Sequence, residues 1–200
     1  MNKHLRLLSI GHSNHPAERF LDLLKKHDIE VLVDVRSHPY SRYAPQFDTS
    51  GLKALLSNAR VKYLYLGREL GGRPEGADYY DAEGHVLYAR LATSPLFLEG
   101  IDRLQKGAQS YRVAVMCAEE DPLNCHRRLL IGRVLREGGV ALDHIRGNGG
   151  LQTEDELLRA QSPQRPASEQ TDFFHAAQEV AWRSTQSVSR KHQPPSSSER

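Results

Sequence analysis

Five short apolar runs recur along the chain, each of a length and composition that suits a buried strand: LRLLSI at 5–10, VLVDV at 31–35, VKYLYL at 61–66, YRVAVM at 111–116 and VALDHI at 140–145. Between them the apolar period changes from continuous to helical. Phe20, Leu21, Leu23 and Leu24 recur at helical spacing, and so do Leu52, Leu55 and Leu56. Leu130, Val134 and Leu135 line one side of a stretch from Leu129 to Arg136, with Gly138-Gly139 as its C-terminal cap. Val86 to Gln105 reads as one or two helices interrupted at Ser94-Pro95. Strands that alternate with helices imply βαβ units. The expected fold is α/β, a mainly parallel sheet flanked by helices in a Rossmann-like, three-layer arrangement.

These signals all fall within 1–160, which reads as a single domain of ordinary size with enough chain for a real core. After about Ala160 the composition shifts. Four of the ten prolines fall in the last forty residues, Ser and Gln are frequent, and the end reads QPPSSSER. The tail 161–200 is therefore expected to be mostly disordered. A short helix over 173–182, carrying Phe173, Phe174, Val180 and Trp182, would dock on the domain or serve as an interaction motif. No run approaches the roughly 18 apolar residues of a membrane span, and the apolar piece at the start is too brief for a signal peptide. The expectation is a cytoplasmic protein with no membrane partner. Its net charge of +2 makes no case from composition for nucleic acid.

Both cysteines fall in one unit, VAVMCAEEDPLNCHRR at 113–128. The run ends abruptly at Cys117, a loop with three acids and a proline follows, and Cys125, His126, Arg127 and Arg128 open the next helix. Two cysteines do not make a secreted disulfide framework; in a reducing compartment they read as thiols, catalytic groups or metal ligands. Ligands of open α/β sheets bind beyond the carboxyl ends of the strands, where such loops converge.

Three other loops at strand ends are similarly equipped. The first offers His12, Ser13 and Asn14; the second Asp34, Arg36, Ser37, Ser41 and Arg42; the third Arg68, Glu69 and Arg73. In a parallel sheet they share one edge with Cys117, Glu119, Cys125, His126 and Arg127. Arginine forks suit phosphate or carboxylate, and a helix opening at Cys125 adds free N–H groups and the positive end of a dipole. An anionic ligand is indicated.

The order of GHSN, DVRSHPYSR, LGRELGGR and MCAEEDPLNCHR resembles the bacterial and archaeal family called domain of unknown function 488, over about Leu8 to Ile145. The resemblance brings no assigned reaction; some members are associated, by name only, with DNA repair. The motif positions it implies are Gly11, His12, Ser13 and Asn14; Asp34, Arg36, Pro39, Ser41, Arg42 and Phe47; Leu70, Gly71, Gly72 and Arg73; and Cys117, Glu119, Pro122, Cys125, His126 and Arg127. The chain departs from the family between the third and fourth strands, where GADYYDAEGHVLYARLA stands in place of an aromatic-rich helix start.

Three chemistries remain open for the thiols. Cys117 ends a strand as a nucleophile would, but Glu119, Glu120 and Asp121 follow it, and nearby carboxylates disfavour a thiolate. Cys125, beside His126, Arg127 and Arg128 at a helix start, is the better thiolate candidate. A disulfide between them, or a metal held by Cys117, Cys125, His126 and His12, is the remaining pair of readings, although seven residues between cysteines is atypical for zinc. No metal or cofactor is therefore expected. The expected function is an enzyme acting on a phosphate-bearing ligand, nucleotide or nucleic acid. Arg36, Arg73 and Arg127 would grip the anion, His12 and Glu119 handle protons, and Cys125 or Cys117 act as nucleophile, with Ser13, Asn14, Asp34, Ser41, Arg42 and His126 completing the binding surface. The alternatives are a non-catalytic nucleic-acid-binding protein and a thiol redox sensor.

Overall fold

The computed structural model describes residues 5–40, 43–161 and 182–187. Six strands, β1 (Arg6–Gly11), β2 (Val31–Asp34), β3 (Lys62–Tyr65), β4 (Val113–Cys117), β5 (Ala141–Ile145) and β6 (Leu151–Gln152), form one sheet in the order β3-β2-β4-β1-β5-β6. All neighbours are parallel except β6, which runs antiparallel to β5. Among the described residues the α-helices are α1 (Ala17–Lys26), α2 (Thr49–Asn58), α3 (Gly67–Leu70), α4 (Tyr88–Leu91), α5 (Pro95–Ser110), α6 (Arg133–Glu137) and α7 (Glu154–Gln161). The fold is α/β, as the alternating periods predict.

The strand period of two divides the core. Leu8, Ile10, Leu32, Ala114 and Met116 pack against Phe20, Leu23 and Leu24 of α1 and Leu52 and Leu56 of α2. Their strand neighbours Leu7, Val31, Val33, Val113, Val115 and Cys117 pack on the other face against Phe97, Ile101 and Leu104 of α5 and Leu130 and Leu135. The break read at Ser94-Pro95 is the start of α5, where the Ser94 hydroxyl accepts from the Phe97 N–H at 3.3 Å and Pro95 takes the first turn.

Two elements differ from the sequence reading. The stretch expected as an α-helix from Leu129 to Arg136 opens as a π-helical turn, Arg127–Gly132, before α6. The wider turn buries Arg127 and Arg128 together with Leu130 and Ile131. The second is the pair β6 and α7. Arg128 forks onto Glu154 at the start of α7, with Nη2 at 2.7 Å and Nε at 2.8 Å, and ties the π-turn to it.

Of the tail, residues 182–187 lie on the domain. Trp182 Nε1 donates to Leu129 O at 2.8 Å, the Arg133 guanidinium sits 4.1 Å from the Trp182 ring centre, and Ser184 N–H donates to Val86 O at 2.9 Å. The rest of the expected helix over 173–182 lies outside the described residues. Among the described residues no helix is long and apolar enough to cross a membrane.

Candidate functional site

β4 ends in the middle of the sheet with β1 on one side and β2 on the other, so the loop from Cys117 lies between those of His12 and Arg36. Backbone bonds hold the three together: His12 N–H to Cys117 O at 3.0 Å, Ser13 N–H to Ala118 O at 2.8 Å and Val35 N–H to Met116 O at 3.1 Å. Two glycines allow the closest approaches. A Cβ at Gly11 would lie 1.8 Å from Glu119 O, and one at Gly72 would lie 2.8 Å from Cγ of the His126 ring. The glycine of the third motif thus makes room for the histidine of the fourth.

On the β1–β2 side the polar groups form a closed knot. Arg36 donates from Nε to Asp34 Oδ1 at 2.9 Å and from Nη2 to Asp34 Oδ2 at 2.7 Å and Phe47 O at 2.8 Å. Arg36 Nη1 lies 3.1 Å from His12 Nε2, and His12 Nδ1 lies 2.7 Å from Ser13 O. Since a carbonyl only accepts, Nδ1 carries the proton and Nε2 accepts from Arg36. Burial, with Arg36 adding to it, holds the His12 pKa down to about 4. The Tyr63 hydroxyl, at 3.0 Å from Asp34 Oδ2, completes the shell.

On the β4 side both thiols converge on one carboxylate. Cys117 Sγ donates to Glu119 Oε2 at 2.8 Å and Cys125 Sγ to the same oxygen at 3.2 Å. His126 Nε2 lies 3.2 Å from Val35 O, which leaves Nδ1 facing the sulfurs at 3.6 Å from Cys117 and 3.9 Å from Cys125. The two Sγ atoms and Nδ1 all lie within 4.8 Å of one another and make a donor set for a metal. Both cysteines are buried and free, whereas Glu119 is an exposed residue that turns its carboxylate inward. Burial would raise the Glu119 pKa, but the bond from Cys117, with that from Cys125 and the charge of His126, outweighs it and brings the group to about 2.

The arginines are placed differently from the sequence expectation. Arg36 and Arg127 were to grip an anion, yet both are buried and engaged within the protein. Arg127, wholly buried, donates from Nη1 to Glu119 O and from Nη2 to Glu120 O at 2.6 Å, and so holds the β4 loop in shape. Cys125 was the better thiolate candidate. Burial first, then Cys117, instead pushes its thiol well above the ordinary value. The charges of Arg127 and Arg128 are tied to carbonyls and to Glu154. His12, expected to handle protons, has both ring nitrogens bonded inside the knot.

Arg73 stands at the rim, exposed, with its N–H on Ser37 Oγ at 2.9 Å and its neighbour Gly72 against His126. Ser13, half-buried, adopts a left-handed φ of 46° beside exposed Asn14. Ser41 and Arg42 lie outside the described residues. Sequence reasoning passed over Tyr88. This buried phenol belongs to the same core cluster as the two thiols, and burial, then Cys125, Cys117 and Glu119, shift it upward. It carries no motif signal. An apolar groove bordered by Val33, Leu64, Leu104 and Tyr111 lies elsewhere, between α5 and the β3 edge.

The family model described as Domain of unknown function DUF488 matches residues 16–134, more than half of the chain. The match takes in the second, third and fourth motifs and begins just after Asn14. No curated protein and no solved structure matches. The chain belongs to the DUF488 family.

Proposed function

We propose that this member of the DUF488 family is an enzyme whose catalytic centre is formed by Cys117, Glu119, Cys125 and His126, and that its substrate carries a phosphate, in a nucleotide or a nucleic acid. One observation carries the reading. An exposed residue turns its carboxylate inward so that one oxygen takes both thiols, with an imidazole nitrogen beside them. Packing gives no reason for this, since a buried cysteine behaves as a small hydrophobe and desolvating a carboxylate is costly. Acidic, basic and thiol groups that converge at the carboxyl edge of a parallel sheet are what an active centre needs.

In this reading His126 presents Nδ1 to the reacting centre, and the Val35 carbonyl fixes its tautomer. Arg68 and Arg73, exposed and without a carboxylate partner among the described residues, meet the phosphate. Arg36 and Arg127 shape the floor, and His12 positions Arg36. Two adjacent thiols that are unbridged suit a reducing cytoplasm. A second reading, a nucleic-acid-binding protein without catalysis, is favoured by Tyr40 and Tyr43, which are 71% and 92% exposed on the loop after β2 and free to stack on bases.

Protection of the thiols tests the proposal. Alkylation of Cys117 by iodoacetamide, followed by mass spectrometry, is expected to slow with AMP or pyrophosphate present. Arg73→Ala should raise the concentration needed for protection about tenfold, the loss of one charge-assisted contact. If neither compound nor a short oligonucleotide changes the alkylation rate, the phosphate reading is wrong. Protection by the oligonucleotide alone, with steep salt dependence and no turnover, would move the second reading to first place.

A further inference from the structure

We propose that Cys117, Cys125 and His126 bind one zinc-type divalent metal ion through both sulfurs and Nδ1, with Glu119 as a fourth, exchangeable ligand on the solvent side. The catalytic meaning of this site rests on the reading above, but the metal site itself rests on donor geometry.

Zinc takes sulfur at about 2.3 Å and imidazole nitrogen at about 2.0–2.1 Å in a tetrahedron, so a sulfur-to-nitrogen edge is about 3.5 Å. The two edges here are 3.6 Å and 3.9 Å. The imidazole is already oriented for the role: Nε2 is held by Val35 O at 3.2 Å, the outer-shell bond that fixes the tautomer of most metal-bound histidines. Gly72 backs the same ring and leaves it little room to swing. Glu119 Oε2 lies at 2.8 Å and 3.2 Å from the sulfurs, closer than a tetrahedral edge, so it would move outward by a few tenths of an ångström as the metal enters.

Charge points the same way. On binding, each thiol releases its proton to solvent as its sulfur–metal bond forms. Two thiolates, the Glu119 carboxylate and a divalent ion then sum to one negative charge. Arg127 lies directly behind, wholly buried, with no carboxylate partner among the described residues and with Nη1 at 3.6 Å from Cys125 Sγ. It balances that charge and donates to a thiolate. Two thiolates and an imidazole select zinc over hard ions such as magnesium or calcium. The separation of the cysteines by seven residues, which argued against zinc in the sequence, is bridged because the β4 loop folds back under Arg127. The other acidic and histidine group, Asp81, Glu83 and His85, is exposed or half-exposed and bonded to Arg183, and carries no such case.

The test uses the full chain, reduced and stripped with a chelator, then titrated with cobalt(II) and zinc(II). One equivalent should bind, cobalt with an intense thiolate charge-transfer absorption, and one equivalent of zinc should shield both cysteines from alkylation. Cys117→Ser and Cys125→Ser should weaken binding at least about 100-fold, beyond the roughly 10–100-fold effect of losing an outer-shell partner. Glu119→Gln should weaken it far less. The wild-type shielding needs no variant, so a folding defect in a serine variant leaves the test standing. Absence of stoichiometric binding, thiolate-free cobalt spectra, or thiols that close to a disulfide in air and bind no cobalt when reduced would each overturn the proposal. Loss of metal binding leaves AMP protection measurable, and the reverse, so the two proposals fail separately.

Discussion

The knot at the ends of β1 and β2 and the thiol group at the end of β4 lie side by side, share backbone bonds, and differ in chemistry: paired charges in one, proton-bearing thiols on a shared carboxylate oxygen in the other. In the knot, Asp34 meets Arg36 twice, Arg36 meets Phe47 O and His12, and His12 meets Ser13 O. In the thiol group, three donors and acceptors of soft or titratable character point at one another, and the carboxylate that joins them sits on an exposed residue. Buried paired charges specify a shape, whereas soft, titratable groups that share one carboxylate oxygen can exchange their partners. On the proposed function the knot is scaffold and the thiol group the working centre.

The comparison breaks most visibly at Asp34. Asp34→Asn removes the anion beneath a guanidinium that is only 5% exposed, and should cost about 3–5 kcal/mol in denaturant unfolding. A cost below about 1 kcal/mol would mean that Arg36 is not held as described.

Acid tests the second component of the knot. The pKa of His12 falls from 6.5 to about 4 on folding, so the unfolded chain binds more protons between those values. Its contribution to stability is therefore present above about pH 6.5 and lost as pH falls to about 4, a difference of about 3 kcal/mol. In His12→Gln this part of the slope should flatten, leaving the smaller share of His144, whose folded pKa burial also lowers. The remaining fall, below about pH 4.5, is shared by the carboxylates whose folded pKa is lowered, Glu119, Glu154 and Asp81 among them. An unchanged pH profile in His12→Gln would show that the imidazole titrates freely.

On the β4 side the effects on stability should be small. Glu119→Gln is expected to cost no more than about 2 kcal/mol, because an exposed carboxylate is screened by water and the amide oxygen can still accept from the thiols. Arg73→Ala should change stability by less than about 0.5 kcal/mol and yet weaken phosphate protection. If either substitution unfolds the protein, the division into scaffold and centre fails.

The fold was legible because continuous apolar runs and helical-period segments alternate without interruption. The convergence of four loops followed from parallel strands alone. What the sequence could not disclose were the partners of its arginines. A guanidinium that faces solvent and one folded under a loop are written with the same letter, and only the wide π-turn decides that Arg127 points inward. The reading of Cys125 as a thiolate missed its surroundings for a similar reason. His126 and Arg127 neighbour Cys125 in the chain, but burial and Cys117 govern its proton in space. β6, two residues long, has too little periodicity to be read, whereas the docking of Trp182 on Leu129 O is one of the two outcomes that the apolar residues of the tail left open.

Metal content tests the central claim most directly: elemental analysis of the full chain purified from cells with no metal added and no chelator, alongside a Cys117→Ser/Cys125→Ser double variant. The account predicts about one equivalent of zinc in the parent and close to none in the variant. A zinc-free parent that also fails to take up zinc on reconstitution, or equal zinc in both proteins, would contradict it.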